Sequence, residues 1–217
     1  MLNEKKGTDI ILQRHGESLA NEKRIYLGHL DWGLSSLGIR QAQITAEFLK
    51  NEQIDAIYSS DLARAYQTAL AHAQLRGMEV KVREGLREVF LGKWEGVLID
   101  ELSTRWYDEF VLGWQKNFGL CTPPGGESIA AVRERMYDTV VEIARENLGG
   151  TVLIAGHAAA IRALWGRIAN IPPEKMGTDT VFPRNASLTR IRFDGERLLP
   201  VEFSNDSHLC GAVKQSF

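Results

Sequence analysis

The chain has 217 residues, 44% of them hydrophobic and 25% charged, which suits one compact domain with a substantial core or a domain carrying a cap. A formal net charge of -2 and a pI near 6.2 argue against the basic surface that nucleic-acid binding needs, so an anionic ligand has to be attracted locally.

In chain order, short runs rich in Ile and Val predict strands at 9–13, 54–59, 79–83, 151–155, 187–193 and 197–203. Longer stretches with apolar residues recurring at three and four predict helices at 36–51, 61–76, 127–147 and 158–170. This alternation predicts an α/β three-layer sandwich, with a mixed, mostly parallel central sheet flanked by helices. The mixed character follows from Asp194-Gly195-Glu196, a hairpin signal between the last two strands. Residues 97–124 stand apart. They hold Trp106, Tyr107, Phe110, Trp114 and Phe118, end in Pro123-Pro124-Gly125-Gly126, and read as a small helical cap inserted in the domain. Residues 204–217 read as a C-terminal tail whose composition does not decide its role.

Cys121 and Cys210 lie far apart without C-x-x-C spacing, which argues against a disulfide framework or a zinc site. Residues 1–7 carry charges with no following apolar region, and no apolar run approaches the roughly 18 residues that span a bilayer. A soluble cytoplasmic protein without a membrane partner is expected.

Arg14-His15-Gly16-Glu17-Ser18 directly follows Ile10-Ile11-Leu12, at the mouth of the first predicted strand. A guanidinium offers a planar fork of donors that fits phosphate oxygens, and a neutral imidazole can attack phosphorus, so the pair suggests phosphoryl chemistry. Arg64 opens the helix after Tyr58-Ser59-Ser60, Glu88 sits in the loop after Val80-Lys81-Val82, and His157 follows Ile154-Ala155-Gly156. Ligands of open α/β sheets bind at the carboxyl ends of strands, where all of these residues map.

In that order and spacing, the chain resembles the histidine phosphatase superfamily, which includes phosphoglycerate mutases and many small-molecule phosphatases. The resemblance rests on Arg14-His15-Gly16-Glu17-Ser18 with Asn21, then Gly28, Asp31, Leu34, Gly38 and Gln41-Ala42. It continues through Ser59 to Ala65 with Thr68-Ala69, Leu86-Arg87-Glu88, Leu91 to Gly96, Gly125-Gly126-Glu127-Ser128 and Gly156-His157. It implies that His15 is the nucleophile, that Arg14, Arg64 and His157 hold the phosphoryl oxygens, and that Asn21 is a further donor. Glu88 would be the acid and base, and Gly28 would join the substrate-binding loop. No cofactor and no metal are implied, and the ligand would be a small phosphorylated metabolite. The chain departs from the family pattern at Ala158-Ala159-Ala160, where glycine is common, and at Ile25, where an arginine is frequent.

Rival readings remain beside these. Arg64 could pair with Asp61 or Glu127, and Glu84 and Glu95 compete with Glu88 for the acid role. His29, His72 and His208 read as ordinary loop, helix and tail residues. Gly125-Gly126-Glu127-Ser128 reads as a helix start because it lacks the lysine of a P-loop. Between mutase and phosphatase, Asp100, Glu101, Asp108 and Glu109 outnumber Arg105 and Lys116 across the cap and favour a phosphatase. A non-catalytic phosphoester-binding module is the reading from another class. Oligomeric state is open, with a homodimer among the options.

Overall fold

A computed structural model describes residues 7–209. The readings made on residues 1–6, on Cys210 and on the last part of the tail, 210–217, lie outside the described residues. Six strands, β1 (Thr8–Arg14), β2 (Ala56–Ser59), β3 (Val80–Val82), β4 (Thr151–Gly156), β5 (Leu188–Phe193) and β6 (Leu198–Asn205), form one sheet in the order β3-β2-β4-β1-β5-β6. The β3, β2, β4 and β1 pairings are parallel and those of β5 are antiparallel, so the mixed sheet expected from the sequence is present.

The central strands are apolar on both faces because helices cover both. Ile11, Ile57 and Leu153 pack with Leu49, Ala69 and Ala73 of the layer built by α2 (Ser36–Phe48) and α3 (Ala63–Arg76). Ile10, Leu12, Val152 and Ile154 alternate to the other face, under α5 (Ile129–Glu146) and α6 (Ala158–Ile168). The four long helices thus match their predicted positions to within a turn. Of the three short helices, α4 (Ile99–Arg105) falls in the segment expected to be helical, whereas α1 (Leu19–Glu22) and α7 (Met176–Asp179) were not predicted. Too short for a helical period to show, α1 is built on a reciprocal cap in which the Ser18 side chain accepts from Asn21 N–H and the Asn21 side chain from Ser18 N–H.

Within residues 97–124 the chain forms α4, a π-helix at Tyr107–Lys116 and a 3-10 turn at Phe118–Leu120. Phe110 and Trp114 are buried, with Trp94 edge-on to both at ring-centroid distances of 5.4 and 5.8 Å. The tail assigned to 204–217 begins too early. β6 runs through Asn205, which pairs with Leu188, and His208 stacks on Phe48 and hydrogen-bonds Thr45. The strand expected at 197–203 is present, and the polar Ser204 and Asn205 hid only its last two residues, because an outer strand is half solvated and does not require an apolar run. No helix among the described residues is long and apolar enough to cross a membrane.

The N-terminal end of α2 is the platform for the loop after β1. Ser35 N–H donates to Glu17 O at 2.9 Å, Glu17 N–H donates to Gln41 Oε1 at 2.8 Å, and Ser35 Oγ donates to the Glu17 carboxylate at 2.7 Å. Gly38 lies so close that a Cβ there would sit 1.9 Å from Glu17 O. Gly38→Ala is therefore expected to lower unfolding stability by about 1–3 kcal/mol, as overpacking does, read from the urea midpoint.

Candidate active site

The β1–β4 register pairs Arg14 with Gly156, so the residues that follow, His15 and His157, leave the sheet side by side. Their ring centroids are 5.3 Å apart. His15 N–H donates to Gly156 O at 2.9 Å, which extends the ladder to His15 itself. His15 Nδ1 lies 2.6 Å from Gly16 O. A carbonyl can only accept, so Nδ1 carries the proton and Nε2 keeps its lone pair.

His15, Arg14, Arg64, Glu88, Asn21 and Gly28 line one cavity of about 260 Å³. His157 is fully buried against His15 and does not itself line the cavity. Arg14 donates to Pro183 O at 2.6 Å, and Arg64 donates to Leu30 O and Gly28 O at 3.0 and 2.8 Å. The rival partners of Arg64 are taken, Asp61 by Arg87 and Glu127 by Arg135. Gly28 contributes backbone: its carbonyl holds Arg64, and its φ of +54° suits glycine. Asn21 Oδ1 accepts from Ser18 and Asn185, leaving the amide NH₂ as the group that can donate to a ligand.

Glu88 reaches the cavity from the loop after β3. Its carboxylate accepts from Ala159 N–H at 3.2 Å and Ala160 N–H at 2.9 Å, at the start of α6, and from Val89 N–H. The alanines that depart from the family pattern thus serve Glu88 with their backbone. Of the two competitors, Glu84 is exposed near Arg87, and Glu95 is occupied by His29 N–H and Leu91 N–H. His29 is more than a loop residue, since its Nε2 donates to Glu88 O at 2.8 Å. Arg135 holds the same loop through Gly85 O and Arg87 O, both at 2.9 Å. His72 is a buried helix residue hydrogen-bonded to Gln13. Ser128 caps α5 by accepting from Ala131 N–H, so the Gly-Gly-Glu-Ser turn is a helix start.

Burial, with Arg64 and Arg14 adding to it, pushes the His15 pKa well below its usual value; burial followed by Arg64 does the same for His157. Burial also lowers Arg14 to about 10, so it remains charged at neutral pH. Arg14 Nε and both ring nitrogens of His157 have no hydrogen-bond partner among the described residues. Cations and orphaned donors beside a neutral imidazole suit a small dianion, whose oxygens would accept from them.

Ser18, Tyr26, Phe182, Pro183 and Arg184 also line the cavity, and Asn185 donates to His15 O at 3.1 Å; none was anticipated. A signal for residues 182–185 was present in the hairpin. A β5 that runs antiparallel to β1 starts at the rim where β1 ends, so the loop entering β5 must meet the site.

A model of the histidine phosphatase superfamily (branch 1) matches residues 10–206. Phosphoserine phosphatase 1 of Hydrogenobacter thermophilus is 32% identical over 203 residues, 92% of this chain and 93% of that protein. Phosphoglycerate mutase-like protein 4 of Arabidopsis thaliana is 31% identical, covering 93% and 86%. The structure of a mycobacterial glucosyl-3-phosphoglycerate phosphatase in complex with VO3 superposes with a TM-score of 0.82 at 30% identity, covering 90% of this chain and 97% of that one.

Because the folded protein holds His15, His157 and His72 below the usual histidine value of 6.5, the unfolded chain binds protons that the native one does not. Their contribution to stability is present above about pH 6.5 and is lost as pH falls, each tending to ~1.4 kcal/mol per unit of pH. Urea unfolding at a series of pH values below 6.5 should show this loss, and NMR titration should find the His15 and His157 rings neutral at pH 6.

Proposed function

The chain belongs to the histidine phosphatase superfamily, and on that premise we propose that it hydrolyses a small phosphomonoester through a phosphohistidine, without a metal ion. The observation that carries this reading is the convergence of Arg14, His15, Arg64 and Glu88 on one cavity, with His157 packed on His15.

In this mechanism the His15 Nε2 lone pair attacks phosphorus in line, and the bond from phosphorus to the ester oxygen breaks. Glu88, in its acid form, gives its proton to the departing alkoxide. A water then attacks the phosphohistidine and passes a proton back to Glu88, the nitrogen–phosphorus bond breaks, and phosphate leaves. Arg14 and Arg64 neutralise charge on the equatorial oxygens, Asn21 adds a donor, and His157 offers a further ring nitrogen. Fixed donors of this kind suffice for charge stabilisation, so no cofactor is invoked. The ligand in this reading is a small phosphorylated metabolite in the cytoplasm, with no nucleic acid or membrane as partner.

Superfamily members are phosphatases or mutases, and the phosphatase relatives support a phosphatase here. The acidic residues of the cap point the same way. Asp100 pairs with Arg24 and Glu101 with Arg105, so the segment offers no surplus of cations to grip a second acidic substrate.

Phosphate release from a panel of phosphomonoesters should survive chelator in the unmutated protein and vanish in His15→Ala. Glu88→Gln should lower kcat by about 10²- to 10⁴-fold. Loss of release on adding chelator, or persistence of release in His15→Ala, would overturn the mechanism; transfer to a second hydroxyl in place of water would indicate a mutase.

A further inference from the structure

The part of the cavity that the phosphoryl mechanism does not use is largely apolar, with Ile25, Leu27, Ile99, Trp114 and Phe182 on its wall and one hydroxyl, that of Tyr26, among them. The Tyr26 backbone is clamped at both ends: its N–H donates to Val97 O at 3.0 Å and its carbonyl accepts from Gly96 N–H at 2.7 Å. Its ring stands edge-on to Phe110 and Trp114 at 5.5 and 6.2 Å. Trp114 Nε1 lies 3.2 Å from Tyr26 Oη. An indole N–H can only donate, so the phenol oxygen is the acceptor in that bond and its own proton points elsewhere. Burial pushes the Tyr26 pKa up to about 12, which keeps that proton in place at any working pH. No hydrogen bond donated by the Tyr26 hydroxyl is found among the described residues, and a donor facing the cavity from a half-buried ring favours a ligand that supplies the acceptor.

Charge on the remaining wall narrows what that ligand is. Beyond Arg14 and Arg64, the lining cation is Arg184, already paired with Asp206 at 3.1 Å. Arg162 lies behind Phe182 rather than on the wall, tied to Thr180 and the Met176 carbonyl, so a carboxylate on the leaving group would meet mainly apolar side chains and Glu88. We propose that Tyr26 is a specificity-determining residue, donating its phenol proton to an uncharged oxygen of the leaving alcohol, and that the site selects neutral, hydroxyl- or ether-bearing alcohols over carboxylated ones. This rests on the phosphomonoester reading above, since it assigns Arg14 and Arg64 to the phosphoryl group.

Binding on the His15→Ala background, measured by calorimetry, tests the assignment without needing turnover. The probes are glycerol 3-phosphate, propyl phosphate and 3-phosphoglycerate. Glycerol 3-phosphate should bind more tightly than either of the others. Adding Tyr26→Phe should lower its preference over propyl phosphate by about 3- to 10-fold, the worth of one neutral hydrogen bond. Trp114→Phe, which frees the phenol to rotate, should lower the same ratio less. An unchanged ratio in Tyr26→Phe, 3-phosphoglycerate binding as tightly as glycerol 3-phosphate, or no binding of any ester overturns the proposal. Phosphate release by the unmutated protein is scored separately: its absence sinks hydrolysis, while the binding ratios still decide the role of Tyr26.

Discussion

The pairing of β1 with β4 is the constraint on which the site depends. Because Arg14 sits opposite Gly156, the two chains leave the sheet at the same level and deliver two imidazoles to one point. A shift of one residue would turn His15 or His157 to the opposite face, since side chains alternate along a strand. Packing removes that freedom: Ile10 and Leu12 are buried on one face and Ile11 on the other, so any slip would place the strand's whole apolar set against the wrong layer.

Electrostatics follow from the same placement. Arg64 is buried and Arg14 half-buried, and both are held by carbonyls, of Gly28 and Leu30 and of Pro183, so they keep their positions while their charge stays available to an anion. Their proximity and burial keep the imidazoles neutral, so one arrangement both attracts a dianion and preserves the lone pair that would attack it. Isolated buried cations are expensive, and a site that retains them is prepared in advance for opposite charge.

The loop that carries Glu88 is fixed from three directions. The first N–H groups of α6 hold the Glu88 carboxylate, His29 holds its carbonyl, and Arg135, anchored by Glu127, holds the carbonyls just before it. The Gly-Gly-Glu-Ser turn thus has a physical task although it touches no part of the cavity: it starts α5 and supplies the carboxylate that orients Arg135. On the far wall, the aromatic residues of the 97–124 segment join the core, and Phe110 and Trp114 meet Tyr26, so core packing and the cavity wall share side chains.

Much of this was legible in the sequence, because the relevant signals are local or ordered along the chain. Apolar runs, helical spacing and the Asp-Gly hairpin determined the layers and the mixed sheet, and the positions of Arg14, His15, Arg64, Glu88 and His157 at the ends of elements determined the residues of one rim. What only the tertiary structure decided depends on contacts between distant segments. The burial of His157 behind His15, the engagement of Asp61 and Glu127 with other arginines, the extension of β6 through Ser204 and Asn205, and the arrival of residues 182–185 at the cavity all arise this way. A residue's type says which bonds it can make, but its partner is set by register and packing, and these exist only once the layers have closed.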